Sequence, residues 1–157
     1  PTLSQRYTID VEKTAELTSP LGDLDQYRIL VAEDSPLIRK QIADVLGQGG
    51  FHNLVLTSDG KEAWYKLNTL GEHYDLLITD VEMPRLDGLA LVRRVKEHND
   101  LKKIPIVVFS SIMAQDIKVK AASVGAEAQI TKPEIPDMVE HVCRLLLANK
   151  EKKGSSK

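Results

Sequence analysis

Five short apolar runs, each followed by an amphipathic segment, constrain the fold of this chain more than any other feature. They span residues 28–32, 54–57, 76–80, 106–110 and 128–131. Most are nearly continuous in apolar character rather than alternating, as expected of parallel strands covered by helices on both faces. The second and fifth are weaker and read as edge strands. Between the runs, Ser35 is suited to cap a helix that starts at Pro36, buries Ile38, Ile42, Val45 and Leu46, and stops at Gly47 and Gly49-Gly50. Further helices are expected over 60–70, over 88–99 with Leu91, Val92 and Val95 on one stripe, over 114–124, and from Pro136 onward with Val139, Val142 and Leu146 inward. Strand and helix alternating five times with short connections predict a doubly wound α/β sandwich around a parallel sheet.

A chain of 157 residues fits one such domain with short tails, and its 42% hydrophobic and 28% charged content is that of an ordinary globular protein. A net charge of −2 lacks the basic excess that nucleic-acid binding requires, so no nucleic-acid partner is expected. No apolar stretch approaches the ~20 residues of a membrane helix, so no membrane insertion is expected either, and the start Pro1-Thr2-Leu3 is no signal peptide. Cys143 is the single cysteine, falls inside an apolar helical pattern, and reads as a small core residue in a reducing, cytoplasmic setting. Residues 1–26, polar with a Ser19-Pro20-Leu21-Gly22-Asp23 turn, read as a linker or tail with room for one short helix. Residues 149–157 read as a polar basic tail. The domain proper is then 27–148, and the absence of a starting methionine suggests a piece of something longer.

In an open parallel sheet the carboxyl ends of the strands share one edge, and residues that close different strands meet there. Glu33 and Asp34 follow the first run, Asp80 closes the third, Ser110 closes the fourth, and Lys132-Pro133 follows the fifth. Three carboxylates at one edge resist simultaneous ionisation unless a cation joins them, and carboxylate, carbonyl and water ligands suit Mg²⁺. Asp34 and Asp80 are assigned direct contacts to the ion, Glu33 a contact through water, and Glu82 a contact through its backbone carbonyl. Asp80 is the candidate nucleophile, since a carboxylate can take a phosphoryl group as a mixed anhydride. Lys132 is the candidate ammonium for the transferring oxygens, aimed inward if its bond to Pro133 is cis, and Ser110 a hydroxyl donor to the phosphoryl group.

Those residues, taken in order with Met83-Pro84, Asp87-Gly88 and Ser110-Ser111, resemble the receiver domain of two-component signalling over about residues 27–148, and are similar to the chemotaxis response regulators. The resemblance implies a flavodoxin-like five-stranded sheet with five flanking helices. It also implies phosphorylation of Asp80 by a histidine kinase with Mg²⁺, followed by self-catalysed hydrolysis, rather than turnover of a separate substrate. Phosphorylation would draw Ser110 toward the phosphate and shift the loop and helix that follow it, so the domain would act as a population switch. Gln129 stands where many receivers carry an inward-turning aromatic, and Ser111 where a small alanine is frequent. Phe109-Ser110-Ser111 together with residues 125–135 look most like the receiver of CheV-type chemotaxis coupling proteins, which follows a CheW-like adaptor. That resemblance implies a chemotaxis-type histidine kinase and a chemoreceptor–kinase coupling complex as partners.

Four competing readings make different demands on the sequence. A stand-alone response regulator would share the same pocket, whereas a receiver-shaped interaction module would have no use for such crowding of acids. A flavin-binding relative should carry a phosphate cradle after its first strand, and that loop here is acidic and contains Pro36. A phosphatase with an aspartate nucleophile would resemble its family in a second aspartate two residues on, where this chain has Glu82. Ile112, two residues after the switch serine, offers no polar atom to orient a water, so slow self-dephosphorylation is expected. His52, His73, His98 and His141 lack paired ligand spacing and are expected at the surface, and Trp64 and Tyr65 are expected to pack.

Overall fold

The structure, a computed structural model, describes residues 10–155 apart from 70, 84 and 111–114; the side chains of 11, 115, 116, 132, 133 and 152–155 also lie outside the description. Five strands form one parallel sheet: β1 (Ile29–Ala32), β2 (Leu54–Thr57), β3 (Leu76–Asp80), β4 (Ile106–Ser110) and β5 (Ala128–Thr131), in the order β2-β1-β3-β4-β5. β1, β3 and β4 are buried at every residue, whereas β2 and β5 lie at the edges and are partly exposed. This explains the continuous apolar runs of the three central strands and the weaker runs of the outer two.

Alternate residues feed two cores. Ile29, Val31, Leu76, Ile78, Val107 and Phe109 point to one face, and Leu30, Ala32, Leu77, Ile106 and Val108 to the other. The first face is covered by α2 (Pro36–Gln48) and α6 (Met138–Ser155), the second by α3 (Gly60–Leu67), α4 (Gly88–Glu97) and α5 (Gln115–Ser123). α4 shows why such a segment is helical: Leu91, Val92 and Val95 are fully buried on one stripe, and each contributes about 2 kcal/mol relative to exposure. The helix ends with basic side chains in its last turn, as the macrodipole favours.

The helices depart from the sequence expectation in extent. α3 stops at Leu67 and α4 at Glu97, two to three residues early, because Asn68 and His98 leave the helix. The last helix begins at Met138 rather than Pro136, after a 3₁₀ segment (Lys132–Asp137) that contains Pro136. It then continues to Ser155, through most of the segment read as a tail.

A sixth helix, α1 (Val11–Thr18), precedes the sheet, so the strands are flanked by six helices rather than five. Asp10 caps it by accepting the Lys13 N–H at 3.0 Å. Its continuation folds onto α6: Leu21 is fully buried in the first core, with Leu17, Leu24 and Tyr27 packed against it. Lys13 pairs with Glu140 at 2.8 Å, the Lys150 ammonium donates to the Pro20 carbonyl, and the Tyr27 hydroxyl donates to the Leu21 carbonyl. Residues 10–26 are therefore docked on the domain.

Candidate functional site

Register brings the candidate residues to one edge. Ala32 is level with Thr79, so Glu33, whose N–H donates to the Thr57 carbonyl, stands level with Asp80, which is level with Phe109. Ser110 follows Phe109 and is level with Thr131, after which Lys132 begins the 3₁₀ segment. Glu33 is fully buried, Asp80 is 3% exposed, and Asp34 is exposed. Carboxylate oxygens from the three lie within 4.8 Å of one another, the one His, Cys, Asp and Glu group among the described residues able to share an ion. Ser110 is also buried. The backbone at Lys132 is at the expected edge; its side chain, with that of Pro133, lies outside the described residues, as do Pro84, Ser111 and Ile112. No peptide bond among the described residues is cis.

Local chemistry holds the acids in place. The Ser35 N–H donates to Glu33 Oε2 at 2.8 Å, and the Arg39 guanidinium donates to the Glu33 carbonyl at 2.7 Å, tying the first loop to α2. The Ser35 hydroxyl accepts the Ile38 N–H, the predicted cap. After β3 the chain turns sharply back on itself: the Gly88 N–H donates to the Val81 carbonyl at 2.8 Å, and the Asp87 carboxylate caps α4 through the Ala90 N–H. Gly88 must be glycine, because a Cβ there would lie 1.9 Å from the Asp80 carbonyl oxygen. Beside the acids opens a cleft of about 460 Å³ lined by Asp34, Val81, Glu82, Met83, Asp87 and Leu89. The donor set fits a hard divalent ion: three carboxylates, no sulfur or imidazole, and room alongside for water and a phosphoryl group.

Two features escaped the sequence reading. The Glu134 carboxylate turns back to accept the Thr131 hydroxyl at 2.6 Å and the Thr131 N–H at 3.0 Å. Those hydrogen bonds hold its pKa below the ordinary carboxylate value despite some burial, and they pin the exit of β5 where Lys132 starts. The Thr131-x-x-Glu134 spacing was the available signal. The second is an ion pair between Arg85 and Asp59, with 2.7 Å from Nη2 to Oδ2, for which the sequence offers no signal across 26 positions.

The remaining candidates fall away from the site. His52 and His73 are exposed, while His98 and His141 are half-buried, the former with its ring edge-on to Trp64 at 6.0 Å. Trp64 packs as expected, under the Arg94 guanidinium, but Tyr65 is 70% exposed and packs little. Gln129 sits half-buried in edge strand β5. Burial pushes the Cys143 thiol up to about 11, in keeping with a core residue.

The family model described as the response regulator receiver domain matches residues 29–143. The chain is 32% identical over 126 residues to a gliding motility regulatory protein of Myxococcus xanthus, covering 80% of this chain but only 16% of that one. It is 30% identical over 124 residues to the chemotaxis protein CheY1 of Helicobacter pylori, covering 79% of this chain and 99% of that one. Among solved structures it is similar to the receiver domain of a signal transduction histidine kinase from Syntrophus aciditrophicus, with 33% identity, a TM-score of 0.70, and 78% and 91% of the two chains covered. Among the described residues no helix is long and apolar enough to cross a membrane.

Proposed function

Because this chain belongs to the response regulator receiver domain family, we propose that Asp80 accepts a phosphoryl group from a chemotaxis-type histidine kinase and that the phosphoform tunes a chemoreceptor–kinase coupling complex in the cytoplasm. The observation that carries the first half is the meeting of Glu33, Asp34 and Asp80 within 4.8 Å beside an open cleft. A divalent ion, Mg²⁺ in this reading, supplies the positive charge that lets a carboxylate approach a phosphate. Asp34 and Asp80 would hold it directly, Glu33 through water, and Glu82 through its main-chain carbonyl.

An Asp80 carboxylate oxygen attacks phosphorus in line with the leaving group. The new O–P bond forms as the P–N bond to the donor histidine breaks, and the electron pair of that bond returns to the imidazole. Lys132 takes up the charge on the phosphoryl oxygens, and Ser110 donates its hydroxyl to one of them. Hydrolysis reverses the modification, with water attacking phosphorus and the Asp80 carboxylate leaving. In this reading the domain acts on no other substrate.

Incubation with acetyl phosphate and Mg²⁺ should add one phosphoryl group by intact mass. Asp80→Asn or excess EDTA should abolish the adduct; an unmodified wild type, or an equal adduct in Asp80→Asn, overturns the proposal. Chemotaxis is supported by the similarity to CheY1, and the coupling role by the likeness of residues 109–111 and 125–135 to CheV-type receivers. A stand-alone regulator is the second reading, since the similarity to CheY1 spans 99% of that protein. Phosphoform that changes kinase output in reconstituted receptor–kinase assemblies supports the coupling role, and phosphoform that leaves kinase output unchanged supports the stand-alone one.

A further inference from the structure

The loop after Asp80 forms one wall of the cleft and carries Glu82, and its tip is braced by the start of α3, which follows edge strand β2. Arg85 sits at φ +70°, a left-handed conformation that costs a non-glycine residue free energy. From there its guanidinium donates to Asp59 Oδ2 through Nη2 at 2.7 Å and Nε at 3.2 Å. Asp59 is nearly buried, and its other oxygen caps α3 by accepting the Glu62 N–H at 2.7 Å. Burial pushes the Asp59 carboxyl up, but the Glu62 N–H and the Arg85 guanidinium outweigh it and hold it below the ordinary value. The next residue seals the contact: a Cβ on Gly60 would lie 2.0 Å from the Leu86 carbonyl oxygen, so α3 and the loop touch backbone to backbone.

We infer that Arg85 is a positioning residue, whose pairing with the α3 cap at Asp59 clamps Arg85 and Leu86 against α3 and so restrains Glu82 beside the acidic cluster. A strained backbone at an exposed arginine is expected to persist only where neighbouring contacts hold it, and Asp59 with Gly60 and Leu86 are those contacts. The inference deepens the proposed function and rests on its metal site. It is separable from phosphotransfer because the clamp acts on loop order and ion affinity.

The test compares wild type with Arg85→Gly, which suits a positive φ but lacks the guanidinium, Arg85→Lys, which keeps the charge, and Asp59→Asn, which keeps an oxygen for the cap. Hydrogen exchange at the amides of residues 82, 83 and 85–88 and affinity for Mn²⁺ alone are measured, with urea unfolding as the folding control. Arg85→Gly and Asp59→Asn should each speed loop exchange about tenfold and weaken Mn²⁺ binding about fivefold, the scale of a charge-assisted pair with one exposed partner. The double variant should be no worse than either single one, and Arg85→Lys should recover part of the loss. Unchanged exchange in Arg85→Gly overturns the clamp, and faster exchange with unchanged Mn²⁺ affinity overturns its positioning role. A wild type that binds no Mn²⁺ overturns the inference together with the metal site. A wild type that binds Mn²⁺ but takes no phosphoryl group overturns the proposed function alone, and the Mn²⁺ and exchange results still decide the clamp.

Discussion

Gly88 shows how little room the site leaves. Because a Cβ at this position would lie 1.9 Å from the carbonyl oxygen of Asp80 itself, any side chain must push β3 and α4 apart. Gly88→Ala is expected to destabilise by about 3 kcal/mol, the upper range for overpacking against a backbone that cannot yield. Urea unfolding checks this, and a loss below about 1 kcal/mol would mean the loop shifts freely. Asp59 supplies a prediction in pH. Its folded pKa lies below the ordinary value, so the stability it contributes is fully present above the unfolded pKa, about 4, and disappears as pH falls through the lower folded value. The stability gap between wild type and Asp59→Asn should therefore be constant from pH 7 to about 5 and narrow below about 4. A gap independent of pH would show that the Asp59 charge contributes nothing. The residues at strand ends were legible because each closes an apolar run that periodicity marks. Asp59 and Arg85 were not, because a pairing across 26 positions leaves no local trace.

Among the elements, α1 differs most from expectation. A short polar segment with isolated leucines has the composition of a linker, and its eight helical residues are too few to be stable alone in water. Its docking comes from tertiary contact: Leu21 enters the core under α6, while Lys13 stays exposed with its partner Glu140 at the rim. Leu21→Ala should therefore cost about 3 kcal/mol, as expected for a leucine removed from a filled core. Lys13→Ala should leave the unfolding midpoint nearly unchanged, because an exposed ion pair is weakly stabilising. A Leu21→Ala variant as stable as wild type would return residues 10–26 to the status of a tail. The continuation of α6 as far as Lys150 has the same origin, since the α1 segment packs along it and Lys150 reaches the Pro20 carbonyl.

At the scale of the whole molecule, sequence and tertiary structure decided different things. The chain alone determined five parallel strands, the choice of central and edge strands, the cap at Ser35, and the arrival of Glu33, Asp34, Asp80 and Ser110 at one edge. It could do so because strand burial and helix periodicity are written in neighbouring residues, and parallel topology places every carboxyl end together. Only the tertiary structure decided that residues 10–26 pack against α6, that the last helix starts after a 3₁₀ segment, and that Arg85 reaches the cap of α3. These depend on which surfaces meet once the sheet has formed. Contacts between distant segments are set by packing and by charge placed in space, and neither has a period along the chain.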